Sequence, residues 1–389
     1  MDDQRRIATA CSIAAIAISA AAVAFTIGFA GWEPSLLVRM SETEPMAEIA
    51  RAHDPGFVLV PPEAHYDGVY FYAIAMDPFA RNEDVYTRID LYEYRYGHPG
   101  YGWLSGIAAL GDASRLPLAM LLVSLAGMGV AGWAVSRIAH ELGRSPWWGL
   151  LIAVNPGLIF AVTVLNSEPV GVAVAAVGLL AWQRGRLLLG AALFAGACLV
   201  KELFLVVPAG LFLLEVAETV RHRAAPGILF RTALLTASAF PLALWYLYLK
   251  FHFGVFPAEA EPGNIGKPLV GWFDTFRYAV GLSRSGASQI GTFTIAQLTI
   301  TAGAMLVGAV RAVRLRSPFD VMFLLLFVLA STVNWFILLY PKDLIRELLL
   351  AFLLLPAVVV GVRWRPRAPE AGAAPSTTTR VRRPEPDRA

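Results

Sequence analysis

Runs of about 20 apolar residues recur along the whole chain, and no other feature constrains the fold as strongly. A helix of that length crosses the hydrocarbon core of a bilayer, and its backbone hydrogen bonds are all satisfied within the segment. The composition agrees, since 57% of the 389 residues are hydrophobic and only 16% are charged. The sequence therefore predicts an all-α polytopic membrane protein.

Ten runs are predicted as spans, several of them short or interrupted by glycine and proline. They cover residues 7–30, 116–139, 146–165, 170–182, 187–200, 203–217, 232–249, 293–310, 319–339 and 344–362. The first run has 24 residues and follows "MDDQRR". Because a signal-peptide core has only about 7–15 apolar residues, we interpret this run as a retained first span.

Arginine-rich connections orient the predicted spans. The segments "SRIAHELGRS", "QRGR", "RHRAAPGILFR" and "RAVRLRS" and the tail beginning "RWRPR" fall on one side, which the positive-inside rule makes cytoplasmic. The heavy use of alanine, glycine and arginine suggests a bacterial source. We therefore predict a bacterial plasma-membrane protein with both termini in the cytoplasm.

This orientation divides the chain into four regions. Residues 1–30 form the first span, 31–115 a large extracytoplasmic loop, 116–362 the helical bundle, and 363–389 a disordered basic tail close to membrane lipids. Within the loop, residues 99–110 are either a short span or a helix lying at the outer interface. We favour the interfacial helix, with Tyr101 and Trp103 in the aromatic belt.

Charged residues collect at the predicted outer ends of the spans. They are Glu168, Lys201, Glu202, Lys342, Asp343, Arg346 and Glu347. An ionisable group at membrane depth costs at least a few kcal/mol unless it has a partner, a water-filled cavity or a function. We interpret the group as the outline of one polar cavity, although each residue could instead be an ordinary interfacial helix cap.

The predicted outer loop is acidic, with thirteen Asp and Glu residues against six arginines between residues 31 and 115. The block "VYTRIDLYEYRYGHPGYG" mixes aromatic residues with Arg88, Asp90, Glu93 and Arg95. Such a mixture suits sugars and phosphates, because aromatic rings stack on apolar sugar faces while carboxylates and guanidinium groups bind polar ones. The alternative is a packed subdomain with surface ion pairs.

Four segments taken in order resemble a known family. They are "YDGVYFYAIAMDPF", "YRYGHPGYGWLSGIAALG", "NPGLIFAVTVLNSEPVGVAVAAVGLLAWQRGR" and "GAALFAGACLVKELFLVVPA". Together they look like the polytopic bacterial glycosyltransferases of the GT-C superfamily, in particular its mannosyltransferase-like members. The resemblance covers roughly residues 66–210. It implies a polyprenyl-phosphate-linked sugar donor and an active site at the outer membrane face, with an essential acidic residue in the first outer loop.

The resemblance also assigns roles to residues. Asp67 would be the catalytic base, and Asp77 a second acidic site that orients the acceptor or shares a divalent cation, Mg²⁺ or Mn²⁺, with Asp67. Arg95 would bind the donor phosphate. Gly97 and His98 stand where relatives often carry a second arginine. The remaining predicted substrate-binding residues are Tyr66, Arg88, Asp90, Glu168, Lys201, Glu202 and Arg346.

The function predicted on this basis is sugar transfer from a polyprenyl-phosphate donor to a cell-envelope glycan or lipid acceptor, with inversion. No nucleic-acid partner is expected, and the sequence has no GxxxxGK[ST] motif to support ATP-driven transport. Two other classes stay open, namely a transporter or flippase for a lipid-linked precursor and a noncatalytic envelope scaffold. The sequence leaves the sugar, the acceptor, the metal dependence and the oligomeric state undecided.

Overall fold

The computed structural model describes residues 2–28, 31–222, 227–260, 263–285 and 289–364. Within these ranges the regular structure is helical, and the β pairing consists of two isolated bridges, Ser41 with Val60 and Ile265 with Val333. The predicted all-α class is therefore confirmed for the described part of the chain. Of the predicted disordered tail, residues 363–389, the part from residue 365 onward lies outside the described residues.

The α-helices follow one another along the chain with short connections. They are α1 Asp2–Gly28, α2 Met46–His53, α3 Gly68–Met76, α4 Glu83–Tyr86, α5 Tyr92–Arg95, α6 Pro99–Ala108, α7 Leu116–Glu141, α8 Leu150–Ala153, α9 Pro156–Thr163, α10 Glu168–Gln183, α11 Leu187–Val200, α12 Val206–His222, α13 Ile228–Ala237, α14 Phe240–Phe253, α15 Pro257–Ala260, α16 Val270–Arg284, α17 Gln289–Ala312, α18 Pro318–Ser331, α19 Trp335–Leu339, α20 Pro341–Glu347 and α21 Leu349–Val360. The 3₁₀ turns are Pro34–Val38, Pro62–Ala64, Ala113–Arg115, Pro146–Gly149 and Glu202–Leu205.

The number of helices that could span a membrane is smaller than predicted. Among the described residues, Asp3–Gly28, Ala113–Glu141, Ile228–Phe253 and Gly291–Ala312 are long and apolar enough, and the pair α8 and α9, bent by 47°, could form a fifth. Helices α10, α11, α18 and α21 are apolar but have only 10–17 residues. The prediction of ten spans is therefore wrong by this measure, because turns break several apolar runs into shorter helices.

The helices pack in two groups. In the first, α7 packs against α1 and α10, and α10 packs against α11. In the second, α18 packs against α12, α17 and α21, and α16 packs along α17. Small residues allow the close crossings within the first group.

Residues 31–115 form short helices that pack onto the first group. Helix α6 contacts α3 and α7, and at ten residues it is about 15 Å long, too short to cross a bilayer. The Tyr101 hydroxyl is buried and donates to the Met120 carbonyl at 2.9 Å, while Trp103 Nε1 donates to the Pro78 carbonyl at 2.7 Å. These aromatic side chains therefore anchor α6 to the protein, which differs from the interfacial belt that we predicted for them.

Helix α14 holds the turn that follows α3. The Tyr248 hydroxyl donates to the Phe79 carbonyl at 2.7 Å, and His252 Nε2 donates to the Ala80 carbonyl at 2.7 Å. Together with the bond from Trp103 to Pro78, these contacts occupy the carbonyls of three consecutive residues. Residues 78–80 and helices α6 and α14 thus form one packed unit.

Candidate functional site

A cavity of about 1190 Å³ opens at the end of the bundle where α3, α5, α11 and α20 meet. Its polar wall contains Tyr66, Asp67, Tyr94, Arg95, His98, Asn166, Lys201, Glu202, Asp343, Arg346 and Glu347. Residues that are distant in the sequence therefore meet here. Glu168 lies behind this wall and is 1% exposed.

Asp67 is at the centre of the polar wall. Arg346 Nη1 donates to Asp67 Oδ2, and Arg95 Nη1 lies 3.5 Å from Asp67 Oδ1. The side-chain amide of Asn166 donates to Asp67 Oδ2 at 3.4 Å. The guanidinium of Arg95 also stacks over the ring of Tyr70, with 3.7 Å between its carbon and the ring centroid. Two arginines with fixed orientations thus flank one carboxylate.

A second set of ion pairs continues from Arg346. Its Nη2 donates to Glu347 Oε1 at 2.8 Å, and its Nε lies 3.9 Å from Glu168 Oε1. Lys201 Nζ lies 3.0 Å from Glu168 Oε1 and 3.6 Å from Glu347 Oε1. We call the six residues of these two sets the charged cluster: Asp67, Arg95, Glu168, Lys201, Arg346 and Glu347.

The ends of the helices explain why these charges are tolerated. Asp67 directly precedes α3 and Glu168 is the first residue of α10, so both carboxylates lie at helix N-termini. Lys201 directly follows α11, and Arg346 is in the last turn of α20. Carboxylates at N-termini and cations at C-termini interact favourably with the helix dipoles. The backbone therefore stabilises the charge of these four residues. Glu347 is the last residue of α20, and its carboxylate is stabilised by Lys201 and Arg346 instead.

Two glycines allow the segments to approach each other. A Cβ atom at Gly68 would lie 2.6 Å from the Val38 carbonyl oxygen and 2.7 Å from that of Val164. A Cβ atom at Gly157 would lie 2.5 Å from the carbonyl oxygen of Ile345. Because real Cβ atoms do not come this close to backbone oxygens, glycine is required at both positions. These contacts fix the start of α3 and the position of α20, and so hold Asp67 next to Arg346.

The charged neighbours of Asp67 determine its protonation. Burial alone would raise the pKa of the Asp67 carboxyl, but Arg346 and Arg95 outweigh it and hold the pKa well below its usual range. Asp67 is therefore a carboxylate when the cavity holds no ligand. In that state it is a weak base, because both arginines stabilise its charged form.

Further polar pairs line the rim of the cavity. The Tyr66 hydroxyl donates to Asp343 Oδ1 at 2.5 Å, and Lys342 Nζ lies 4.3 Å from the centre of the Tyr66 ring. On another side, His98 Nδ1 lies 3.0 Å from Glu202 Oε2. These pairs surround the charged cluster without sharing a carboxylate with it.

The rest of the cavity is apolar. We call this part the apolar slot, and it is lined by Val206 and Ala209 of α12, Leu242 and Tyr246 of α14, Leu325, Leu326 and Leu329 of α18, and Phe336 and Ile337 of α19. The slot and the charged cluster belong to the same continuous cavity. A ligand with an anionic group and a long apolar chain would match both parts.

Three of the predicted site residues lie elsewhere. Asp77 accepts hydrogen bonds from the backbone N–H groups of Arg81 at 3.0 Å and Asn82 at 2.8 Å, and so it caps the turn after α3. Arg88 pairs with Glu48 on the surface at 2.8 Å. Asp90 lies 3.4 Å from Arg95 Nε but does not line the cavity.

Sequence reasoning left some cavity residues out of the predicted site. Asp343 and Glu347 are included among the charged residues of the predicted outer face but not among the predicted site residues, and Asn166 and Tyr70 have no predicted role. The segment "PKDLIRE" gave an indication, because its last two residues, Arg346 and Glu347, are both charged and lie at one helix end. Nothing in the sequence alone indicated that Asn166 contacts Asp67.

The predicted metal site does not fit this geometry. Asp67 and Asp77 lie at opposite ends of the nine-residue helix α3, about 15 Å apart along its axis. Within the described ranges, no three His, Cys, Asp or Glu side chains are grouped so that they could hold a metal ion. The side chain of Arg346 occupies the space between the carboxylates of Asp67 and Glu347. The two aspartates therefore cannot share one cation.

No protein-family model matches the chain, and a search of curated proteins also finds no match. The functional proposal therefore rests on the residues of the cavity.

Proposed function

We propose that the protein is a membrane glycosyltransferase that uses a polyprenyl-phosphate-linked sugar as donor and an envelope glycan or lipid as acceptor. The observation that carries this proposal is the union of the charged cluster with the apolar slot in one cavity. A polyprenyl-phosphate sugar has the same two parts, a charged phosphate next to a long hydrocarbon chain. The resemblance of residues 66–210 to GT-C glycosyltransferases points in the same direction.

The cavity residues suggest how transfer would proceed. Arg95 and Arg346 would bind the phosphate, and the prenyl chain would lie along the apolar slot. Asp67 would accept the proton of the acceptor hydroxyl while that oxygen bonds to the anomeric carbon. The bond from the anomeric carbon to the phosphate oxygen would break, and its electron pair would stay on the phosphate. A single displacement of this kind inverts the anomeric configuration.

The leaving group needs no proton in this scheme. A polyprenyl phosphate departs as an anion, and the fixed cations of the cluster stabilise the charge that develops on its oxygen. Lys201, which is already paired with Glu168 and Glu347, would contribute less and at longer range. The reaction therefore requires one base and a set of oriented positive charges from the protein.

The side of the membrane follows from the connections between helices. The turns 142–145, 184–186 and 311–317 are rich in arginine and lie at the helix ends that face away from the cavity. The positive-inside rule favours a cytoplasmic position for those ends, and we propose on this basis that the cavity opens outside. An outer active site suits envelope acceptors, and we retain the plasma membrane as the proposed location.

The experiment that tests this function is sugar transfer by the purified protein in lipid. A panel of polyprenyl-phosphate sugars and envelope glycan acceptors would be offered to the wild type, to Asp67→Asn and to Glu48→Gln. We expect transfer by the wild type and a loss of at least about 100-fold in Asp67→Asn, because general base catalysis contributes about that much. Glu48→Gln removes a carboxylate from a surface ion pair and serves as the matched control.

The outcomes separate the classes of function. Equal transfer by wild type and Asp67→Asn would move the base to another carboxylate. A flippase is the second candidate, since a cavity lined partly by apolar side chains would also suit lipid transport. A flippase would move a labelled polyprenyl-phosphate sugar between leaflets with its sugar still attached. A noncatalytic scaffold would neither transfer the sugar nor move the lipid.

A further inference from the structure

The charged cluster contains three carboxylates and three cations. Each cation already has a carboxylate partner: Arg95 has Asp67 and also Asp90, which lies outside the cluster, Lys201 has Glu168 and Glu347, and Arg346 has Asp67 and Glu347. The formal charge of the cluster is therefore zero. An incoming phosphate finds no free cation in it, and so it has to displace a carboxylate.

Asp67 is the carboxylate that a phosphate can displace. The side chains of Asp67 and Glu347 are 25% and 23% exposed, whereas that of Glu168 is 2% exposed. Of the two exposed carboxylates, Asp67 is the one that contacts both arginines, while Glu347 contacts Arg346 and Lys201. If a phosphate takes the place of Asp67 on Arg346, Glu347 still pairs with Arg346, and Glu168 and Glu347 still pair with Lys201. Asp67 would keep only the side-chain amide of Asn166, at 3.4 Å.

The two cations of Asp67 are also those best suited to a phosphate. Arg95 and Arg346 are guanidinium groups, whose planar donors match two phosphate oxygens at once. Their orientations are fixed by other contacts, Arg95 on the Tyr70 ring and Arg346 on Glu347. A phosphate placed between them would therefore take the position that Asp67 holds in the empty cavity.

Building on the proposed function, we infer that the donor phosphate and the Asp67 carboxylate compete for Arg95 and Arg346, so that donor binding itself frees Asp67 to act as the base. Without donor, Asp67 is bound to both arginines and cannot take a proton from an acceptor. With donor, the phosphate holds the arginines and the carboxylate oxygens become available. Transfer then requires that the donor binds before the acceptor.

The test is a binding measurement that needs no turnover. The probe is undecaprenyl phosphate, a polyprenyl phosphate that carries no sugar. Its affinity would be measured for wild type, Asp67→Asn, Asp67→Glu and Glu48→Gln in lipid nanodiscs. We expect Asp67→Asn to bind at least about tenfold more tightly than wild type, a difference of about 1.4 kcal/mol, because the competing charge is gone. Asp67→Glu keeps the charge and should stay within about threefold of wild type.

Two controls make the result specific. Glu48→Gln also removes a carboxylate from an arginine pair, but outside the cavity, and its affinity should equal that of wild type. Undecaprenol lacks the phosphate, and Asp67→Asn should bind it no better than wild type does. If Asp67→Asn does not fold, judged by size-exclusion chromatography, Asp67→Ala replaces it.

Unchanged or weaker phosphate binding by the folded Asp67→Asn variant would overturn the inference, even if the wild type transfers sugar. Tighter binding without any transfer by the wild type would support the competition and count against the proposed function. The two ideas can therefore fail separately.

Discussion

Arg346 is the residue on which the charged cluster depends most. Its guanidinium contacts Asp67 and Glu347 and lies close to Glu168, so one side chain neutralises charge on three helices. Only 13% of its side chain is exposed. Removing it would leave carboxylates that are partly or fully buried next to one another, and the repulsion between them would act on the whole cavity.

We therefore expect Arg346→Gln to destabilise the protein strongly. Removing one partner of a buried ion pair typically costs about 3–5 kcal/mol, whereas an exposed pair contributes about 0–1 kcal/mol. Arg88→Gln is the matched control, because Arg88 pairs with Glu48, whose side chain is 80% exposed. Thermal unfolding in detergent should show a large decrease in Tm for Arg346→Gln and almost none for Arg88→Gln. Similar Tm values for the two variants would contradict this account.

Protonation of Asp67 should affect stability only in acid. Its pKa is lower in the folded protein than in the unfolded chain, where aspartate titrates near about 3.9, so the folded state binds the proton more weakly. The stabilisation is therefore complete above about pH 5 and is lost as the pH falls through about 4 and below. The difference in Tm between wild type and Asp67→Asn should be constant from about pH 7 to 5 and change below that. A change between pH 5 and 7 would argue against the arginine pairing.

The sequence predicts the positions of some site residues but not the contacts between them. The positions of Lys201, Glu168 and Arg346 at helix ends were visible in the sequence, because charges interrupt apolar runs there. Their pairing was not visible, since ion pairs between residues 67 and 346 depend on how α3 and α20 pack. The role of Asp77 was predicted wrongly for the same reason. The sequence alone does not distinguish an aspartate that caps a turn from one that lines a cavity.

At the scale of elements, the turn after α3 gives Asp77 a structural role. Its carboxylate accepts two backbone N–H groups and the residue is 7% exposed. We expect Asp77→Ala to lower the free energy of unfolding by about 1–3 kcal/mol, because two backbone N–H groups lose their hydrogen bonds to a charged acceptor. Transfer per folded molecule should be retained.

The measurement for Asp77 compares Tm with specific activity in Asp77→Ala and Asp77→Asn. Asparagine keeps one side-chain oxygen as an acceptor, so it should recover part of the lost stability. A complete loss of transfer at normal stability, in either variant, would return Asp77 to the catalytic machinery.

Helix breaks are the element-level feature that sequence reasoning estimated least well. The run 146–165 reads as one apolar segment, yet it is two helices bent by 47° around Val154 and Asn155. Asn155 caps the second helix by accepting from the Leu158 N–H at 3.0 Å, and Pro156 follows it. Hydropathy measures how apolar a segment is, and it does not register a cap that ends one helix and begins another.

At the scale of the whole molecule, the cavity is formed by elements from both packing groups. The first group, with the short helix α3 packed on it, contributes Asp67, Glu168 and Lys201. Helix α20, which carries Arg346, packs against α9 on the side of the first group and against α19 and α21 on the side of the second. The all-helical class could be predicted from composition and apolar runs. The way in which the two groups of helices pack to form the cavity could not be predicted, because it depends on side-chain contacts between segments that lie far apart in the chain.

The short apolar helices have a consequence for the surrounding lipid. Helices α10, α11, α18 and α21 contain 16, 14, 14 and 12 residues. They are therefore about 18–24 Å long, whereas the hydrocarbon core of a typical bilayer is about 30 Å thick. Helix α10 is buried within the bundle and would contact little lipid. If α11, α18 and α21 cross the membrane, a hydrophobic mismatch of this size would be relieved by thinning of the bilayer next to the protein.

Thinning next to the cavity would bring lipid headgroups down to the level of the charged cluster. A donor could then reach Arg95 and Arg346 by lateral diffusion while its chain stays in the leaflet. We expect transfer to be faster in dimyristoleoyl than in dierucoyl phosphatidylcholine, with dioleoyl lipid between them, because the thicker bilayer resists this deformation. Initial rates in vesicles of the three lipids would measure it, and equal rates would mean that bilayer thickness does not control access to the cavity.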